Sequence, residues 1–147
     1  MLTAALAHAQ STGAMNAETP LYIEGLIRTI AWEGPDVELV VDVPARLARP
    51  VDLVSRVAPS QHNDGDISAL LAQAVLPTTP MGAWTITLPP LPRLAPWDAQ
   101  SLIRVGRRIA IVGIAPHQPT RKSMRAEVIF VDGKTIVVRS LPREPER

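Results

Sequence analysis

Alternating apolar and polar residues predict that this chain is built mainly from short β-strands. The clearest alternation covers residues 37–43, where every second side chain is aliphatic: Val37, Leu39, Val41 and Val43. A period of two places such a set on one face of a strand, so these side chains are predicted to face a core. Pro44 ends this strand because proline has no backbone N–H to donate to a sheet.

A longer strand is predicted to begin at Leu21. One face of this strand carries Leu21, Ile23, Ile27 and Ala31. Gly25 lies in line with that face, and a glycine inside a long strand commonly marks a bulge or a bend. A bend of this kind lets a sheet curl into a barrel. The Glu-Gly-Pro-Asp sequence at 33–36 predicts the turn into the next strand.

Four further strands are predicted in the second half of the chain. Trp84, Ile86 and Leu88 alternate with threonines, and residues 107–114 form an aliphatic run. Asp132-Gly133 lies between the predicted strands 124–131 and 134–139. This dipeptide favours a type I′ turn and therefore predicts a β-hairpin.

The connection at 45–82 is predicted to hold an edge strand at 47–57 and a helix that begins at Asp66. Four apolar residues recur at helical spacing along that helix: Ile67, Leu70, Leu71 and Val75. A single helical turn is also predicted from Asp98 to Ile103.

Residues 88–97 are rich in proline and are predicted to form an extended polyproline II segment. Its apolar residues, Leu88, Leu91, Leu94 and Trp97, recur every third position and would share one side. That stripe either covers one end of the barrel or docks onto another protein. With Ile67 and Leu71 of the helix, it forms the candidate surface for a protein partner.

The amino-acid composition excludes several kinds of functional site. Prolines number 15 in 147 residues, aromatic residues make up 3%, and cysteine is absent. Disulfides and thiolate metal sites are therefore excluded. The net charge of +1 is too small to attract the negatively charged backbone of nucleic acid, so no nucleic-acid partner is predicted. Basic residues concentrate only at Arg107, Arg108, Arg121, Lys122 and Arg125. They form either a patch facing an anion or a partner, or ordinary surface charge.

No catalytic motif of the serine hydrolase, zinc protease or phosphate-loop type occurs, so the chain is predicted not to be an enzyme. The histidines are His8, His62 and His117, and the last two are predicted to lie in loops. Met81 and Met124 offer thioether sulfurs for copper. Solvated loop histidines explain this pattern better than a metal site, and no cofactor is predicted.

The N-terminal residues predict export. Met1 to Ala9 is apolar and ends in Ala7-His8-Ala9, which resembles a signal-peptidase site, so the mature chain is expected to begin at Gln10. Residues 1–19 are interpreted as a signal-like remnant and lead-in, 20–141 as one domain, and 142–147 as a charged tail. No apolar run approaches the ~20 residues of a membrane span. The expected location is the periplasm or the extracellular space.

Several short motifs resemble one known family. They are Glu24-Gly25-x-Ile27-x-x-Ile30-x-Trp32, the strand led by Trp84, Ile103-x-x-Gly106-x-x-Ile109-x-Ile111-x-Gly113, and Asp132-Gly133-Lys134. Together they resemble the DUF6152-type family of small exported bacterial β-barrel proteins, over about two-thirds of the chain. The resemblance implies a periplasmic address and implies no activity.

The predicted fold is therefore all-β, a small OB-like barrel of five or six strands with one or two short helices in the connections. The leading hypothesis for function is a non-enzymatic periplasmic accessory module that binds a protein partner, as a subunit of a larger membrane-associated complex. The alternative is a periplasmic domain that binds a small ligand or copper.

Overall fold

A computed structural model describes residues 19–56, 66–115 and 122–138. Six strands make up most of it: β1 (Pro20–Ala31), β2 (Val37–Val43), β3 (Gly82–Leu88), β4 (Arg108–Ile114), β5 (Ser123–Val131) and β6 (Lys134–Val137). The helices are α1 (Asp66–Gln73), α2 (Leu91–Leu94) and α3 (Ala99–Leu102), with 3₁₀ turns at Val54–Arg56 and Ala95–Trp97. The all-β prediction is confirmed.

The strands close into an OB-like barrel. β1 pairs antiparallel with β2 and β4, β2 pairs with β3, and β4 pairs with β5. A short parallel pairing of Thr85–Thr87 with Ser123–Arg125 joins β3 to β5 and closes five strands into a ring. β6 pairs with β5 as the additional strand, through the predicted hairpin. Asp132 and Gly133 both have positive φ, 53° and 74°, as a type I′ turn requires.

A bulge in β1 changes which face of the strand points inward. Ile27 pairs with Val41 and Thr29 pairs with Val40, so Arg28 is an extra residue. Ile23 and Ile27 lie in the core, but Ala31, which was predicted on the same face, is exposed. Beyond the bulge Ile30 and Trp32 pack against the core instead. The prediction that Leu21, Ile23, Ile27 and Ala31 share one face is therefore correct up to the bulge and wrong after it, because one extra residue reverses the alternation.

The prediction of polyproline II at 88–97 is wrong. Leu88 ends β3, and residues 91–97 form α2 and a 3₁₀ turn, with prolines in the first turn of each. Proline is tolerated there because first-turn N–H groups need no helical partner. Leu94 of α2, together with Ala99 and Ile103 of the next segment, is buried in the barrel core.

Residues 44–56 and 66–76 cover the outer face of β1, β4 and β5. A second apolar cluster joins the outer side chains of β1, β4 and β5, Tyr22, Ala110, Val112, Val128 and Phe130, to Leu53, Ile67, Leu71 and Ala74 of this connection. The edge strand predicted at 47–57 is wrong over its described residues, which form a turn and a 3₁₀ turn. Pro50 cannot donate to a sheet, and the Arg49 guanidinium donates to the carbonyl oxygens of Leu71 and Ala74 at 2.6 and 2.7 Å. The helix predicted from Asp66 is confirmed as α1.

Candidate functional site

The predicted partner-binding stripe does not form a surface. Leu88 and Leu94 are buried inside the barrel, while Leu91 and Trp97 are half-buried and pack against its core. Of the two interpretations of the stripe, the structure supports the one in which it covers an end of the barrel. The reason is geometric, because side chains three apart share a side in polyproline II but not in a strand followed by helical turns.

The predicted contribution of α1 is also buried. Ile67 and Leu71 face the outer side of the barrel within the second apolar cluster and are 2% and 0% exposed. These two positions of the predicted stripe are therefore covered within the chain, whereas Val75, its last member, lies beyond the end of α1 at Gln73 and is exposed.

The predicted basic patch is divided between the two ends of β4. Ile109 pairs with Val131 and Ile114 pairs with Arg125, so Arg107 and Arg108 lie at the opposite end of the barrel from Arg125. Each member of the predicted patch that the structure describes also has its own partner. Arg107 lies 3.6 Å from Asp132, Arg108 lies 3.3 Å from Glu24, Lys122 donates to the Thr79 carbonyl at 2.8 Å, and Arg125 lies 3.6 Å from Glu127. Arg121 lies outside the described residues. Over its described members the patch interpretation is wrong, because the strand pairing separates Arg107 and Arg108 from Arg125.

The outer face of β1 presents one exposed aliphatic side chain between two ion pairs. Leu26 is 48% exposed, and its cross-strand neighbours are Asp42 on β2 and Arg108 on β4. Arg108 lies 3.3 Å from the Glu24 carboxylate, and Arg28 lies 2.8 Å from that of Asp42. An apolar residue with a polar rim is the arrangement found at the centre of many protein interfaces.

A cleft of about 460 Å³ opens beside this residue, between β1 and the chain that leaves β2. We call it the Leu26 cleft. Its apolar lining includes Leu26, Val43, Pro44, Leu47 and Ala48, and its charged lining is formed by Glu24, Asp42, Arg46 and Arg108. The volume falls within the ~300–1,000 Å³ typical of binding sites.

A second cleft, the charged cleft, lies on the other side of the Glu24–Arg108 pair and measures about 490 Å³. Arg56 and Lys134 line it as well, and the Arg56 guanidinium lies 5.7 Å from the centre of the Phe130 ring. Behind it the Tyr22 hydroxyl donates to Glu24 at 2.9 Å. Burial, together with the hydrogen bond to this carboxylate and its negative charge, raises the pKa of Tyr22 well above its ordinary value.

The outer face of β2 and β3, where OB-folds commonly bind oligonucleotides and oligosaccharides, carries a shallow polar groove of about 460 Å³. Its lining is formed by Glu38, Ala83, Thr85, Thr87, Lys122 and Ser123. None of these residues is aromatic, so the groove lacks the stacking platforms that single-stranded nucleic acid requires.

His8, His62 and His117, the predicted metal candidates, all lie outside the described residues. Within residues 19–56, 66–115 and 122–138, no three His, Cys, Asp or Glu side chains converge as metal ligands would. Met81 is exposed and Met124 is buried in the barrel core. No helix in this part of the chain is long and apolar enough to cross a membrane.

Comparison of the chain with protein-family models, with curated proteins and with solved structures gave no match.

The sequence contained one signal for the Leu26 cleft that the strand prediction did not use. Leu26 is an aliphatic residue flanked by Glu24 and Arg28 on one face of the first predicted strand. An aliphatic side chain between two charged side chains of one strand face is a candidate for contact with another molecule. No pattern in the sequence predicts that residues 44–48 line the cleft, because their position depends on how the connection folds back over the barrel.

Proposed function

We propose that this chain is a non-enzymatic accessory module of the periplasm that binds a protein partner through Leu26 and its cleft. The observation that carries the proposal is the half-exposed Leu26 beside an apolar cleft and between two ion pairs. Burial of aliphatic surface contributes roughly 25 cal/mol per Å², so covering Leu26 and the cleft wall supplies affinity. The flanking charges supply orientation more than affinity.

The periplasmic address and the membership of a larger membrane-associated complex belong to the same proposal. The address rests on Ala7-His8-Ala9 and on the motifs similar to the DUF6152-type family. N-terminal sequencing of the protein isolated from its native source tests it. We expect the mature chain to begin at Gln10, and a mature protein that retains Met1 contradicts export.

The docking surface is tested by replacing Leu26 with the photo-crosslinker p-benzoylphenylalanine in the native source. We expect one adduct of defined mass, because a specific interface places one partner over this position. Thr87, on the polar groove of β3, is the matched control position. Equal crosslinking at positions 26 and 87, or none at either, contradicts the proposal.

A second measurement uses Leu26→Asp and Thr87→Asp. We expect a partner to co-purify at fixed stoichiometry with the unsubstituted chain and with Thr87→Asp, and to be lost with Leu26→Asp. Thermal unfolding of each variant confirms that neither substitution unfolds the barrel, because both side chains lie on its outer face.

The charged cleft favours a second candidate function, the binding of a small ligand. Side chains of both signs line it, with Arg56, Arg108 and Lys134 facing Glu24 and Asp132. Titration with succinate and with inorganic phosphate, followed by the amide resonances of Phe130 and Thr135, tests this candidate. Saturable shifts that Arg56→Gln abolishes support it, and unchanged spectra exclude these anions.

A further inference from the structure

The charges around the Leu26 cleft are not all compensated within the described residues. Two of its carboxylates have close cations: Glu24 has Arg108 at 3.3 Å, and Asp42 has Arg28 at 2.8 Å. The remaining charged residue of the lining, Arg46, is exposed at the rim. Within residues 19–56, 66–115 and 122–138 it makes no hydrogen bond or ion pair. Counted together with Arg28, the three arginines and two carboxylates around the cleft therefore leave one positive charge in excess.

The interior of the cleft, in contrast, is apolar. Leu26 forms one wall, and Leu47 and Ala48 of the chain that leaves β2 form the other. Leu47 is partly buried because it packs against both apolar clusters, so this wall is anchored to the barrel. A cleft that is already shaped in the free protein binds a partner at a lower entropic cost.

We infer that the partner docks a segment in which an aliphatic side chain enters the Leu26 cleft and a neighbouring carboxylate pairs with Arg46. This inference rests on the proposed function and specifies the chemistry of the partner. The aliphatic side chain gains from covering Leu26 and Leu47, and the carboxylate gains a charged hydrogen bond with the Arg46 guanidinium. A lysine in place of the carboxylate is repelled by Arg46, so the rim selects between partners by charge.

The test uses the full chain labelled with ¹⁵N and three acetylated, amidated pentapeptides. The first carries a central Leu followed by Asp, the second Leu followed by Lys, and the third Ala followed by Asp. We expect the first peptide to shift the amide resonances of Leu26, Arg46 and Leu47. We also expect it to bind at least about fivefold more tightly than the other two, which corresponds to about 1 kcal/mol.

Charge reversal separates the two parts of the inference. Arg46→Glu should reverse the preference between the Asp and Lys peptides and leave the advantage of Leu over Ala unchanged. Lys134→Glu, an exposed cation of the charged cleft, is the matched control and should leave the preference as it was.

Equal affinity for the Asp and Lys peptides overturns the inference, while the crosslink at position 26 still supports the proposed function. Failure of all three peptides to shift the Leu26 resonance also overturns it, and the proposed function is then decided by crosslinking alone. Loss of both the crosslink and the peptide shifts overturns both.

Discussion

Gly25 shows how the absence of a β-carbon permits the close approach of β1 and β2. It is buried where β1 pairs with β2, and a β-carbon at this position would collide with the carbonyl oxygen of Asp42. The neighbour that would have to move is backbone held in the β1–β2 ladder. Glycine is therefore required here by close approach rather than by an unusual φ angle.

We expect Gly25→Ala to lower the free energy of unfolding by about 3 kcal/mol, the upper range for overpacking a core. Urea denaturation measures the change. Leu26→Ala is the control because its side chain is half-exposed, and it should change stability by less than about 0.5 kcal/mol. A similar effect of the two substitutions would mean that the strands do not approach as closely as described.

Tyr22 makes stability depend on alkaline pH. Its pKa in the folded chain is raised above the ordinary value of about 10 by burial first and then by Glu24. Above pH ~10 the unfolded chain releases this proton and the folded chain retains it, so stability is complete below that pH and falls as pH rises. We expect the urea midpoint to decrease above pH ~10 and the decrease to be smaller in Tyr22→Phe. The same pH dependence in both proteins would assign it to other groups.

At the scale of elements, α1 depends on a side chain from outside the helix. Near its end the Leu71 carbonyl oxygen accepts from the Ala74 N–H at 3.3 Å, a long hydrogen bond. The Arg49 guanidinium supplies donors to Leu71 and Ala74 across 2.6 and 2.7 Å. This contact ties the helix to the chain that leaves β2 and so fixes the cover over the outer face of the barrel.

Arg49→Ala is therefore expected to destabilise the chain by about 1.5–3 kcal/mol, the range for hydrogen bonds to a charged group. Native-state hydrogen exchange should show faster exchange of the α1 amides in this variant. The control is Arg46→Ala, which removes an exposed arginine three residues earlier. If both variants accelerate exchange equally, the Arg49 contacts do not hold the helix.

The hairpin of β5 and β6 depends on the backbone of its turn. Gly133 has a φ of 74°, which a β-branched residue adopts only with strain. We expect Gly133→Val to cost roughly 1–2 kcal/mol and Gly133→Asn less, because asparagine tolerates positive φ. Thermal unfolding distinguishes the two, and equal stability of both variants would contradict the turn.

At the scale of the whole molecule, regular alternation was sufficient to predict the strands. Every second side chain faces the core from Val37 to Val43 and from Trp84 to Leu88, as the period of two indicated. The alternation failed at Arg28, because a bulge is set by the pairing with β2 and not by the strand itself. It also failed at 88–97, where the same prolines suit an extended segment and the first turns of short helices. The prediction of a basic patch was wrong because the strand order separates Arg108 from Arg125, and a local sequence pattern does not contain the strand order.

Trp97 distinguishes the two roles that the sequence left open for residues 88–97. It lies in the connection between β3 and β4, half-buried against the barrel core, next to the buried Leu94. We expect Trp97→Ala to lower the free energy of unfolding by about 2 kcal/mol, below the ~3–5 kcal/mol for a fully buried tryptophan. The same variant should keep the crosslink at position 26, because β1 and not this connection carries the proposed docking surface. Leu26→Asp should show the opposite pattern, with stability retained and partner lost. A Trp97→Ala protein that stays as stable as the unsubstituted chain but loses its partner would move the docking surface to the end of the barrel.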